Sequence, residues 1–354
     1  MAKLTPKKWI ISFFAIVLAV VLLLSALVFV IDPFFQFRTK DNAYELSSWF
    51  VGGGLLRNYD YDTLIVGSSM IFNFDMDVFR EELGAKPLHI GLGGIRLSEV
   101  KDLMEAAYAA DRAERYYICV DLPTFAKDAE PSRYAQYLLR DDPLSRMRYF
   151  LSYEVWFRYI PVDLALMLAD KAGVSLPEKI QVGTSIDRLE DSRLDLTYNR
   201  KTVIKNYKSN RAAVSDVDLD HLYERMCSNV DDYLDGFDYT QGEHIFFFPP
   251  YSSLFWCNAQ DRGYFEDYLS AKQYFMERAA ELGVTVFDFQ TAELTMDLEN
   301  YTDTTHFSPE INDWMTRCFA SGAYLATKES AAAAREQVVA NTAQFRQENA
   351  DVFQ

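Results

Sequence analysis

The amino-acid sequence predicts an α/β protein: a three-layer α/β/α domain on a five-stranded parallel sheet, with a helical insertion after strand three and an N-terminal transmembrane helix. Three observations carry this. Five short, continuous apolar runs, mostly β-branched or aromatic, read as strands buried on both faces of a sheet. Segments of helical period separate them, the rhythm of parallel strands joined by right-handed crossovers. Ahead of them all lies one apolar run long enough to cross a bilayer.

That run, Trp9 to Ile31, contains no charged residue. About 20 apolar residues at 1.5 Å rise span the roughly 30 Å hydrocarbon core, and a helix satisfies its own backbone there. Lys3, Lys7 and Lys8 precede the run; Asp32 and Pro33 follow, and Pro33 is expected to stop the helix. Basic flanks favour the cytoplasm. The expectation is a cytoplasmic N-terminus over 1–8, an anchor over 9–31 and an extracytoplasmic remainder, in a single-pass cell-membrane protein whose first partner is the bilayer. A cleavable signal peptide would have an apolar core of about 7–15 residues ending in a small-x-small site. Here the run is longer, and Phe29, Val30 and Ile31 stand where small residues belong.

The 354 residues carry a formal net charge of −17, and 15% of them are aromatic. Aromatic content that high argues against disorder. So negative a chain lacks the clustered Lys and Arg that neutralise phosphates, which excludes nucleic acid as a partner. Arg200, Lys201, Lys205, Lys208 and Arg211 run the other way, with no acidic residue between them. A solvated face is the plain reading; a contact for anionic headgroups or an anionic polymer is the functional one. Cys119, Cys227, Cys257 and Cys318 show no C-x-x-C spacing, so a zinc site has no support, and none of the three possible disulfide connectivities is dictated. No metal and no cofactor is implied.

A membrane-proximal linker is expected over 32–60 and the extracytoplasmic domain over 61–325. Its strands should be Thr63–Val66, Leu88–Ile90, Tyr116–Val120, His244–Phe248 and Val284–Phe289. Phe79 and Leu83 mark one helix; Val100, Leu103, Met104 and Ala107 mark another, and Tyr264 to Leu282 a third. The chain from Val120 to His244 is far too long for a structureless loop, so a helical insertion is expected over about 124–240. Trp156, Phe157, Tyr159, Leu164, Leu166 and Met167 would give it an apolar core of its own. After Tyr324 an Ala- and Gln-rich stretch, 326–354, reads as a terminal helical tail with no obvious stop.

In parallel α/β sheets the ligand site lies beyond the carboxyl ends of the strands. There stand Gly67-Ser68-Ser69-Met70, Gly91-Leu92-Gly93-Gly94, Asp121 with Pro123, and Pro249-Pro250-Tyr251-Ser252. Beyond the fifth strand, just before a helix, comes Asp303-Thr304-Thr305-His306. A hydroxyl nucleophile needs an imidazole base, and the base needs a carboxylate to orient it. Ser69, His306 and Asp303 supply all three at one edge of the sheet. A tight glycine turn lets Ser69 stand at a helix N-terminus with its N–H facing a developing oxyanion, and Gly94 can bring a second N–H close. The plain readings are a capping serine, a satisfied structural histidine, an N-cap aspartate and a turn glycine. Pro249 to Ser252 are expected to shape the pocket wall.

These blocks resemble the SGNH/GDSL hydrolase superfamily, which carries Gly-Asp-Ser after the first strand, a glycine after the second, an Asn after the third and a late Asp-x-x-His. Gly67-Ser68-Ser69 matches the first block with Ser in place of Asp, as in the membrane-anchored, DltD-like branch associated with teichoic-acid D-alanylation. His89-Ile90-Gly91-Leu92-Gly93-Gly94 resembles the second block, and Asp303-Thr304-Thr305-His306 matches the last. A closer likeness is to bacterial membrane-anchored proteins with a Gly-Ser/Thr-Ser-Met turn, a Pro-Pro-Tyr-Ser run and an Asp-x-x-His-Phe/Tyr ending. The likeness covers roughly 60–320 without the insertion.

The resemblance implies a flavodoxin-like layering, Ser69 as nucleophile, His306 as base and Asp303 as its orienting partner. It places oxyanion or substrate binding on Gly94, Gly93, Ser68, Asn73 and Tyr251. The implied activity is a serine acyl hydrolase or O-acyltransferase acting on an envelope glycan, teichoic acid or lipid ester, with a membrane-bound O-acyltransferase as partner. One departure stands out: after the third strand there is no Gly-x-Asn but Asp121-Leu122-Pro123. Either Asn73 or Asn258 supplies that donor, or the chain is a catalytically decayed scaffold or binding subunit of an envelope acylation system. A flavodoxin-like nucleotide binder is a weaker third class, because no Gly-rich phosphate loop with Lys or Arg follows any strand. A second Gly-x-Ser, Gly183-Thr184-Ser185, falls in the insertion, outside the strand rhythm. The insertion itself, rich in aromatics such as Tyr134, Tyr137, Tyr149, Tyr153 and Trp156, is expected to cover the sheet edge bearing Ser69.

Overall fold

The computed structural model describes residues 5–40, 47–174, 196–210 and 217–353. In chain order, α1 (Pro6–Ile31) and α2 (Ser48–Asn58) come first. They are followed by β1 (Thr63–Gly67), α3 (Met76–Leu83), β2 (Pro87–Gly91), α4 (Leu97–Ala110) and β3 (Arg115–Cys119). Then come α5 (Gln136–Leu139), α6 (Pro143–Phe150), α7 (Ile160–Lys171), α8 (Arg200–Asn210) and α9 (Leu222–Leu234). The chain continues with β4 (Glu243–Phe248), α10 (Ser253–Arg262), α11 (Phe265–Leu282), β5 (Thr285–Asp288), α12 (Pro309–Ser321), β6 (Leu325–Ala326) and α13 (Ser330–Glu348). Two compact units result. One contains Met1–Tyr59 and Tyr134–Leu189, the other Asp60–Arg133 and Glu190–Gln354.

The second unit is α/β, with strand order β2-β1-β3-β4-β5-β6. All five expected runs form strands, and β1 to β5 pair in parallel. The sheet as a whole is nevertheless six-stranded and mixed, which corrects the expected five-stranded parallel sheet: β6 closes the edge antiparallel to β5. Two residues are too few for a period to declare itself, so the sequence offered no signal. Successive side chains of a strand point to opposite faces, and β4 shows what each face meets. Phe247 packs against Phe319 of α12, while Phe246 and Phe248 pack against Phe275 of α11. That is why its sequence reads as one unbroken apolar run.

The terminal helix is docked. Val338, Asn341, Thr342 and Phe345 of α13 are buried, Arg346 pairs with Asp261 of α10, and Arg335 pairs with Glu266 of α11. Its few buried residues are diluted among alanines, so the stretch reads as a free tail.

In the first unit α1 is long and apolar enough to cross a membrane. It stops one residue earlier than Pro33 would require. Asp32 takes a left-handed conformation, φ 44°, and its buried carboxylate accepts the N–H groups of Gln36, Phe37 and Arg38 and the Tyr149 hydroxyl. The expected insertion over 124–240 is not one body. Residues of α5 to α7 join the first unit, where Tyr149, Val155, Tyr159 and Ile160 bury Val28, Ile31 and Phe34, with Trp156 and Met167 packed beside them. Phe157 and Leu164, expected in a core, are exposed. The stretch from α8 to α9 belongs instead to the α/β unit. All four cysteines are free thiols.

Candidate active site

The site is built from the carboxyl ends of β1, β2, β3 and β4 and the loop before α12. After β1 the chain turns sharply at Ser68. Gly67 is dictated by packing: a Cβ there would sit 2.5 Å from Cys119 Cβ and 2.9 Å from Ile71 Cγ2. The expected helix after the glycine is only a 3-10 turn, Ser69–Ile71, and its cap is Ser68, whose Oγ accepts from Met70 N. Ser69 is therefore not the cap. Its hydroxyl is left for His306.

Ser69 Oγ lies 2.8 Å from His306 Nε2, and Asp303 Oδ2 lies 2.7 Å from His306 Nδ1. One sheet edge thus brings Ser69 to an Asp-x-x-His pair that lies more than 230 positions further along the chain. Asp303 has a second task. Its Oδ1 accepts from Thr305 N at 2.8 Å and His306 N at 2.7 Å, closing the turn that aims the ring. The turn is held from outside as well: Ser252 N and Oγ donate to Thr304 O, and Asn206 Nδ2 of α8 donates to Thr302 O.

Electrostatics fit this geometry. Burial by itself raises the Asp303 pKa, but the hydrogen bond to and charge of His306, with the two backbone N–H bonds, outweigh it and hold the carboxyl below its usual range. An ionised carboxylate only accepts, so Nδ1 carries the proton and Nε2 offers its lone pair to the Ser69 hydroxyl. Burial also opposes the imidazolium and is the largest single influence on His306. The bond to Asp303 and the charges of Asp303 and Asp121 outweigh it, raising the pKa above the ordinary imidazole value.

The oxyanion side is less complete. Leu92 N bonds Gly67 O and so ties the β2 loop to the nucleophile turn. Gly94 has φ +61°, a conformation natural to glycine, and its carbonyl is taken by Arg133. Among the described residues the N–H groups of Ser69, Gly93 and Gly94 carry no acceptor, which leaves them available to a ligand. Asn73 is placed differently from expectation. It is buried, and its amide donates to Tyr198 Oη at 3.1 Å and Phe307 O at 3.2 Å. The group that sequence reasoning offered as an oxyanion donor instead braces the His306 loop. Asn258 donates to Tyr264 Oη.

Tyr251 and Ser68, expected to bind substrate, are both buried and converge on Asp121. The Tyr251 hydroxyl and the Ser68 hydroxyl each donate to its carboxylate. Burial pushes Asp121 above the ordinary carboxylate range against those two bonds and the nearby charges of His306 and Lys127. The sequence placed Asp121 at the end of the third strand but gave it no role beyond that of a missing Asn. The signal available was its position at the end of β3, between the strands that carry Ser69 and Tyr251.

A cavity of about 470 Å³ opens beside Thr304 and Thr305, with Phe255, Tyr264 and Tyr268 in its wall and Lys127 and Arg225 at its rim. A second, of about 300 Å³, reaches Gly94 and shares Lys127 with the first. Lys201 and Lys205 are exposed on α8, while Arg200 is spent on Asn349 and Asp351. Arg211 and the rival turn Gly183-Thr184-Ser185 lie outside the described residues. Neither a protein-family model nor any characterised protein sequence matches this chain.

Proposed function

We propose that this chain is a membrane-anchored serine acyl hydrolase or O-acyltransferase of SGNH type, with the three-layer α/β/α, flavodoxin-like core that type implies. One observation carries the reading: Ser69 Oγ, His306 Nε2, His306 Nδ1 and Asp303 Oδ2 form an unbroken hydrogen-bonded line, 2.8 and 2.7 Å at its two links. In this mechanism Ser69 Oγ attacks an ester or thioester carbonyl while its proton passes to His306 Nε2. The carbonyl electrons become an oxyanion, stabilised by the Ser69 and Gly94 N–H groups. Collapse breaks the bond to the leaving alcohol or thiol, which takes the proton from Nε2, and leaves acyl-Ser69. Water or a sugar or glycerol hydroxyl then attacks the acyl carbon, Nε2 again accepting the proton, and collapse breaks the acyl–Ser69 bond, releases the acid or new ester and returns that proton to Ser69 Oγ.

An anchored domain suits a substrate presented at a membrane, such as an envelope glycan, teichoic acid or lipid ester, and a membrane-bound O-acyltransferase as partner. That step rests on fold-type analogy. The competing reading, a binding subunit whose catalysis has decayed, draws on Asn73 being spent and Asp121 standing where an amide donor is expected. A covalent fluorophosphonate probe separates the two. The full-length protein should label, and Ser69→Ala should not; a wild-type protein that stays unlabelled while correctly folded supports the binding subunit.

A further inference from the structure

The helix α7 buries Ile160 and Leu166, yet its exposed face is apolar too. A helix against water buries its apolar stripe and exposes its charges. Here Asp163 is buried and paired with Lys40 Nζ at 2.8 Å, while the exposed stripe at Pro161, Leu164, Ala165 and Leu168 carries no charge. Leu164 is 38% exposed and Leu168 59% exposed. Just ahead of α7, the Tyr153 and Phe157 rings pack tilted against each other, centroids 4.8 Å apart, while 75% and 60% exposed. On α6, Leu144 and Met147 are exposed too.

What covers this surface follows from its neighbour. α7 packs on α1, with Met167 and Ile160 against the cluster that buries Val28 and Ile31. The half-buried positions of α1 are Val21, Leu24, Ser25 and Leu27, and with the buried Val28 and Ile31 they form a helical stripe running down from its carboxyl end. From Trp9 onward, with Ser12 the one exposed hydroxyl, the rest of α1 exposes apolar side chains, as a membrane-crossing helix does. The exposed faces of α1 and α7 therefore belong to one apolar surface. Aromatics mark the level of the headgroups in membrane proteins, and aliphatic side chains the hydrocarbon. The chain has that order, from Tyr153, Trp156 and Phe157 to Leu164 and Leu168.

We infer that α7 is a second membrane element. It lies beside the carboxyl-terminal half of α1 with its Pro161–Leu168 face against lipid acyl chains and Tyr153 and Phe157 at headgroup level. The inference rests on α1 crossing the bilayer, and it gives the segment after β3 a role that the sequence assigned to substrate covering. The occupant is lipid hydrocarbon. Lys171, at the last turn, reaches toward polar surroundings along its own alkyl stem.

The test uses the full-length chain reconstituted in phosphatidylcholine–phosphatidylglycerol vesicles. One preparation carries a photoactivatable diazirine within the acyl chain, the other carries it on the headgroup, and cross-linked peptides are read by mass spectrometry. The expected result is acyl-chain labelling of α7 at Pro161, Leu164 or Leu168 of the same order as that of α1, with headgroup labelling at Tyr153 or Phe157. Acyl-chain labelling confined to α1 would overturn the proposal and leave the anchor standing. Labelling of neither helix would overturn both. A second readout is Leu164→Asp with Leu168→Asp: acyl-chain labelling of α7 should fall severalfold while that of α1 holds. Unchanged α7 labelling in a folded double variant also refutes the lipid-facing placement.

Discussion

His306 is pulled in two directions. Burial disfavours its charge, and the carboxylates of Asp303 and Asp121 favour it; the carboxylates prevail. A general base works only when neutral, so activity should rise as pH climbs through a pKa above that of an ordinary imidazole, and the acid limb of kcat/KM should sit correspondingly high. Asp121→Asn removes a charge that favours the imidazolium, so that limb should move to lower pH; Asp121→Glu should bring it back. A limb that ignores both changes would mean Asp121 is neutral there, or only a brace for Ser68 and Tyr251. The shared proton line makes a further demand. Ser69→Ala and His306→Ala should each lower kcat by on the order of 10³-fold or more, and the double variant should lose little beyond either single one. Independent losses that multiply in steady-state assays would argue for two unconnected roles.

The elements that position these residues were legible to different degrees, for physical reasons. Strands buried on both faces, such as Phe246 to Phe248, declare themselves because every position is apolar. The turn residues Gly67 and Gly94 and the Asp303–His306 tetrapeptide are local patterns, so sequence shows them too. Asp121 with Tyr251, and Asn73 with Phe307, are meetings between distant segments that leave no local pattern. β6 and the buried face of α13 were lost to brevity and to alanine dilution. A long-range pair of the same invisible kind joins α11 to β5: Lys272 Nζ and Asp288 Oδ1 lie 2.7 Å apart, both buried. Burial lowers the Lys272 pKa, and Asp288 opposes that shift. Asp288→Ala leaves an uncompensated ammonium inside and should cost about 3–5 kcal/mol. Phe345→Ala, which empties the buried contact of α13, should cost about 3–5 kcal/mol as well. Thermal unfolding in detergent measures both, and an unchanged midpoint for Phe345→Ala would show that the terminal helix is not docked in solution.

For the whole molecule the question is which side of the membrane the triad occupies. Ser69, Asp303 and His306 all follow α1, so they share a side as long as nothing crosses back. α7 is the only other candidate among the described residues, and its 12 residues reach about 18 Å at 1.5 Å each, short of the roughly 30 Å core. It can enter the bilayer but not traverse it. On the proposed anchoring, side is set by α1 alone, where Lys3 lies before the helix, Lys7 and Lys8 stand in its first turn and Asp32 caps its end. Lys and Arg near the ends of a span govern its orientation, and acidic residues count for little. So the charge of −17 is no obstacle to export. Protease added to intact spheroplasts should digest the α/β unit, and alkaline phosphatase fused after Phe353 should be active. Moving the three lysines tests the cause: Lys3→Gln, Lys7→Gln and Lys8→Gln together, with new lysines placed after Asp32, should invert a fraction of the chains and protect the domain in that fraction. Protection of the unaltered protein until lysis would put the triad in the cytoplasm and remove envelope polymers from its substrates.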